Sequence, residues 1–170
     1  MKAWIVLLLA LSLAFPMNAA LASEPQWTYD EDNMVLRLEG TLSGEVTIPS
    51  EADGHPVNAV ESNAFYEQHD ITSLTMPDSL RALSSGAVTC MDGLTRVTLN
   101  DGLEIIASNF KSCSALTSLI IPASVRIVDS AIGVCENLKE ICFEGECPLF
   151  LGEDWCFFMM PEDYTTAWRI

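Results

Sequence analysis

Leu119-Ile120-Ile121-Pro122-Ala123-Ser124-Val125-Arg126-Ile127-Val128-Asp129-Ser130-Ala131-Ile132-Gly133-Val134-Cys135-Glu136-Asn137-Leu138 is the stretch on which the fold turns. It opens on alternating apolar residues, the pattern of a short strand with one buried face. Pro122 then stops the strand. The same opening recurs at Leu74-Thr75-Met76-Pro77, Val97-Thr98-Leu99-Asn100 and Ile141-Cys142-Phe143-Glu144, and an earlier copy reads Val46-Thr47-Ile48-Pro49. From 74 to 97, 97 to 119 and 119 to 141 the steps are 23, 22 and 22 residues.

The second half of each copy lines up as well. Val60, Ala82, Ile105 and Ile127 are read as one column, and five residues on stand Phe65, Ala87, Phe110 and Ile132. Gln68, Cys90, Cys113 and Cys135 follow, then Ile71, Leu94, Leu116 and Leu138, with Leu94 one residue late. A single copy cannot bury its own apolar face. Stacked copies bury one another's, and each column becomes a continuous ladder. The expected fold is a β-rich solenoid of short parallel strands, with irregular or short helical return arcs around the Phe column, capped at both ends. On this alignment Ala82 and Ala87 thin the core of the second copy.

The columns resemble the BspA-like leucine-rich repeats of secreted and surface proteins. The resemblance rests on Ile121-Pro122-Ala123-Ser124-Val125, Ile127, Ala131-Ile132, Cys135 and Leu138. It rests also on the longer first copy, Ile48-Pro49-Ser50-Glu51-Ala52-Asp53-Gly54-His55-Pro56-Val57, then Val60 and Ala64-Phe65. Asn100 and Glu144 depart from the pattern by replacing Pro, and Gln68 by replacing Cys. The resemblance implies a leucine-rich-repeat solenoid and a habit of extracellular protein binding. It carries over no catalytic residue.

The ends read differently. Lys2, the apolar run Ala3 to Phe15, Pro16 and the small-residue end Ala20-Leu21-Ala22 have the three parts of a secretory signal peptide, with cleavage expected after Ala22. The run is too short for a spanning helix, which needs ~20 apolar residues. The expected organisation is a signal peptide over 1–22, a hairpin cap over 23–45, repeats over 46–148 and a C-terminal cap over 149–170. Trp27, Tyr29 and Met34 to Leu38 would form the hairpin, with Asp30-Glu31-Asp32-Asn33 as its turn. That acidic turn lacks the spacing and glycine of an EF-hand, so no metal site is assigned. The aromatic-rich C-terminal stretch is read as a last strand over 157–160 and a short helix from Glu162.

Six Cys in a secreted chain point to disulfides. Cys90, Cys113 and Cys135, however, share a column with the ~4.8 Å rung spacing between them, longer than the ~3.8 Å that a disulfide places between Cβ atoms. They are expected as buried thiols. Cys142 should point away from the core, and a bridge from Cys147 to Cys142 or Cys156 stays open. His55 and His69 lie three to four rungs, roughly 15 to 20 Å, from Cys142 to Cys156, far beyond the ~3 Å that a nucleophile and its base require. There is no phosphate-binding glycine loop and no Gly-x-Ser-x-Gly elbow. The expectation is a protein that is not an enzyme and holds no cofactor.

The chain carries 8 basic and 24 acidic residues, a net charge of −16, and −17 once Lys2 leaves with the signal. Such a surface disfavours nucleic acid and anionic lipid and keeps a monomer soluble by self-repulsion. The expected partner is an extracellular protein or glycoprotein. The strand face turned from the core is the expected platform, through Thr75, Arg96, Thr98, Ser118, Ile120 and Glu140. Arg96 and Ile120 are its natural anchors, an Arg and a large aliphatic among small polar residues. The alternatives are an envelope scaffold without a discrete ligand, or a secreted enzyme inhibitor.

Overall fold

In a computed structural model of the chain, residues 26–146, 148–151 and 165–168 are described. The signal peptide, Cys147, Cys156 and the strand expected over 157–160 lie outside them, and the helix expected from Glu162 is corrected at 165–168, which form a strand because they extend the rung of Glu140–Phe143 in parallel register. The described chain is a β-solenoid of about five turns, with no helix. One side carries a seven-stranded sheet. It begins with an antiparallel hairpin, β1 (Gln26–Asp30) and β2 (Val35–Glu39), and continues in parallel. The parallel strands are β6 (Ala59–Val60), β8 (Ala82–Leu83), β10 (Ile105–Ala107), β12 (Ile127–Asp129) and β14 (Leu149–Leu151). The other side carries β3 (Gly44–Thr47), β7 (Ile71–Thr75) and β9 (Arg96–Thr98) as one parallel sheet. A second comprises β11 (Ser118–Ile121), β13 (Glu140–Phe143) and β15 (Thr165–Trp168). A two-residue hairpin, β4 (Glu51–Ala52) with β5 (His55–Pro56), occupies the loop inserted in the first copy.

The core runs between the two sides, and its register corrects the sequence alignment. Val60 pairs with Leu83, Leu83 with Ile106 and Ile106 with Val128, all buried. Ala82, Ile105 and Ile127 instead form the adjacent outward column, in which Ile105 is 39% exposed. The next core column is Phe65, Val88, Phe110 and Ile132, so Val88 stands where Ala87 was placed. Leu83 and Val88 therefore fill the second copy, and its core is not thinned. The spacing between the two columns is five residues in the first two copies and four in the next two. The shorter arcs close with Phe110 and Ile132 at φ of 57° and 61°.

No helical turn forms the return arc. Left-handed corners form it instead, in two columns. One is Asn63, Gly86, Ser108 and Ser130. The other is Glu67, Cys90, Ser112 and Val134. A left-handed residue that is not glycine costs on the order of 1–2 kcal/mol, so these corners persist because the stacked apolar columns on either side fix them. The corner column also places Cys90. It is half-buried at a bend, while Met91, fully buried, joins Gln68, Cys113 and Cys135 in the column assigned to cysteine.

The first turn is tied to the hairpin. The Gln68 side chain accepts from Leu42 N–H at 2.9 Å and donates to the Gly40 carbonyl at 3.1 Å, which gives a polar residue a reason to stand where later copies carry Met or Cys. Trp27 meets Phe65 edge-on at 5.9 Å between ring centroids. Tyr29 stacks on His55 at 4.7 Å, and its N–H donates to Asp53 at 2.8 Å. The inserted loop thus anchors the hairpin. At the other end, β14 and β15 carry both sides one rung further.

Candidate functional site

The outward face of the second side consists of two columns. Glu45, Ser73 and Arg96 form one, continued by Ser118 and Glu140. Thr47, Thr75 and Thr98 form the other, continued by Ile120 and Cys142. The continuation crosses a break, because β9 and β11 are neighbours that do not pair. On either side of it the rung bond is made. Thr95 N–H donates to the Thr72 carbonyl and Lys139 N–H to the Thr117 carbonyl, both at 2.9 Å. Among the described residues, the equivalent bond from Thr117 to Thr95 is missing.

A concavity of about 470 Å³ opens at this seam, lined by Thr95, Arg96, Val97, Thr98, Thr117, Ser118 and Ile120. Four of the six platform residues read from the sequence, Arg96, Thr98, Ser118 and Ile120, line it. Thr75 lies one rung before on β7 and Glu140 one rung after on β13, both half-buried and outside the lining. Thr95 and Thr117 were missed. They stand just before their strands in a column with Thr72 and Lys139, all exposed, and that shared position was the available signal.

Arg96 is exposed. Among the described residues, Arg37 pairs with Asp30 and Glu61, and Arg81 donates to the carbonyls of Asp78 and Leu80, whereas the Arg96 guanidinium meets no acceptor. Ile120 is 43% exposed beside it. The site therefore offers one cation, the hydroxyls of Thr98, Thr117 and Ser118, one aliphatic surface and strand edges with unmade bonds, while the Thr95 hydroxyl donates to the Thr72 carbonyl. That set suits a polar contact with an aliphatic anchor.

The thiols are placed elsewhere. Burial pushes Cys113 up to about 12, so it stays protonated and unreactive. Cys135 donates to the Phe110 carbonyl at 3.1 Å. Cys142 holds its outward register position opposite Ile120, yet it is 2% exposed and stands apart from the contiguous core. It is a covered free thiol rather than an exposed one. His69 lies 3.5 Å from Asp92, and His55 is engaged by Tyr29. Among the described residues, no group of three or more ligating side chains could hold a metal, and no helix is long and apolar enough to cross a membrane.

The rungs, the apolar columns and the strand-turn punctuation define a leucine-rich-repeat solenoid. The chain belongs to the BspA type leucine rich repeat family, whose model matches residues 44–158 in six copies. No curated protein matches it. Among solved structures it is similar to a leucine rich cell surface protein from Faecalibacterium prausnitzii A2-165. The identity is 18% and the TM-score 0.57, over 83% of this chain and 41% of that one. A leucine-rich repeat protein from Bacteroides ovatus gives 13% identity and a TM-score of 0.55, over 86% of this chain and 60% of that one. One from Bacteroides capillosus gives 20% and 0.54, over 86% and 94%. The chain thus spans less than two thirds of the first two proteins. These likenesses carry the fold.

Proposed function

We propose that this chain is a secreted protein-binding module that engages an extracellular protein or glycoprotein at the seam between β9 and β11. The observation that carries the reading is the concavity at the break. It joins an unpaired Arg96 to a half-exposed Ile120, the residue types that anchor protein interfaces, on a face otherwise made of small polar side chains. Leucine-rich repeats of this kind typically bind rather than catalyse, and the arrangement of His and Cys supports the same reading. The signal-like N-terminus supports export, and N-terminal sequencing of the exported protein should then begin at Ser23.

The test is capture of soluble extracellular proteins on the immobilised chain, followed by titration of the captured protein. Arg96→Glu and Ile120→Asp should each weaken saturable binding by about tenfold or more, the loss of one anchor worth ~1.4 kcal/mol or above. Unchanged affinity in both variants would remove the seam as the site. A chain that captures nothing saturably would remove the binding function itself.

A further inference from the structure

The seven-stranded sheet has an outward face of its own, independent of the seam. Its central column is Ala59, Ala82, Ile105, Ile127 and Leu149, in continuous register. Ile105 is 39% and Leu149 60% exposed, with Ile127 half-buried between them. Just before Ile105 and Ile127 stand Glu104 and Arg126, both exposed. Among the described residues neither side chain has an ion-pair partner. In a chain with 24 acidic residues, this row of large aliphatics flanked by an unpaired charge of each sign is a face that a complementary surface can cover.

We infer that the occupant is a second copy of this chain, related by a two-fold axis that runs parallel to the strands between β10 and β12. Such an axis keeps positions along the strand and reverses the order of rungs. Ile105 then meets Ile127 of the second copy, and Leu149 meets the small Ala82. Glu104 meets Arg126, and each contact occurs twice, as an isologous interface demands. In the next column Ala107 falls opposite Asp129, so no two acids face each other there. An axis one rung earlier would instead set Glu61 against Asp129. The self-repulsion that favours a monomer acts over a Debye length of only ~8 Å at physiological salt. The facing strands span roughly 15 Å across the rungs, which puts the contact at the small end of protein interfaces and makes the association concentration-dependent.

Sedimentation equilibrium of the full chain, from about 1 to 200 µM in ~0.15 M salt, tests this. The weight-average mass should climb toward twice that of one chain. Ile105→Lys should hold it at one chain, with the far-ultraviolet circular dichroism unchanged. Glu104→Arg and Arg126→Glu should each weaken association about tenfold or more, and the double exchange should restore it, because the pair re-forms with its signs reversed. The exchange series stands even if Ile105→Lys fails to fold, since both charged positions are exposed. A single-chain mass at every concentration overturns the inference. So does self-association that the single exchanges leave intact or the double exchange fails to rescue. Partner capture at the seam is read separately, so either reading can fail alone.

Discussion

At the scale of a residue, Asn109 shows how one side chain can hold two rungs together. It is fully buried at a position where the other copies carry Ala64, Ala87 and Ala131. Its carbonyl accepts from Val88 N–H at 2.8 Å, and its amide donates to the carbonyls of Ser84 at 3.1 Å and Ala107 at 2.6 Å. Asn109→Ala would leave the Val88 N–H buried without an acceptor, at about 1–3 kcal/mol. Asn109→Asp would keep that acceptor but turn a carboxylate toward two carbonyls, so it should destabilise more. Urea unfolding midpoints of the two variants check the order. Asn100 is a contrasting case. It replaces Pro at the strand end and donates to the Leu80 carbonyl at 2.8 Å, but its own side-chain oxygen is buried without a partner. A polar residue read from sequence as a mere departure from the pattern can therefore be a clamp or a liability, and only its neighbours decide which.

At the scale of an element, the tight places are where one turn's backbone lies on the next. Gly93 opens the second copy's return to its strand, and a Cβ there would overlap the His69 carbonyl of the turn before. A backbone atom cannot step aside, so Gly93→Ala should cost about 1–3 kcal/mol as overpacking. At Gly102 the neighbour is the guanidinium tip of Arg81, which can swing away, so Gly102→Ala should cost less. Thermal unfolding of the pair measures the difference, and equal losses would mean that the turns are looser than the packing implies. The same elements show what the sequence could disclose. Strand positions were legible because alternation and the terminal Pro are local signals. The return arcs were misaligned by one residue because their length changes from five residues to four between the second and third copies. A left-handed corner absorbs that change, and it can be Asn, Ser, Cys or Val as well as Gly, so composition does not mark it. Leu94 standing one residue late was the visible trace of the longer second copy.

At the scale of the whole molecule, the two sides of the solenoid differ in continuity. The seven-stranded sheet crosses the middle of the stack without interruption through β8, β10 and β12, while the opposite side breaks between β9 and β11 at the same level. The break was invisible in sequence, because Arg96 to Thr98 and Ser118 to Ile121 each look like a rung and the defect lies in the bond between them. A repeat stack is held by nearest-neighbour interfaces, so a rung with bonds on one side only should open more readily than its neighbours. Amide hydrogen exchange reads this directly, since protection follows the free energy of local opening. Thr95, Thr117 and Lys139 occupy equivalent exposed positions, and only Thr117 lacks the bond to the preceding rung. Its protection factor should fall below those of the other two by about tenfold or more, the loss of one hydrogen bond of ~1 kcal/mol together with the looser rung. Saturation of the seam by a bound partner should restore that protection, because the partner shields the same edge. Equal protection at the three amides in the unbound protein would mean that the ladder closes in solution, and the site would then rest on Arg96 and Ile120 without the break.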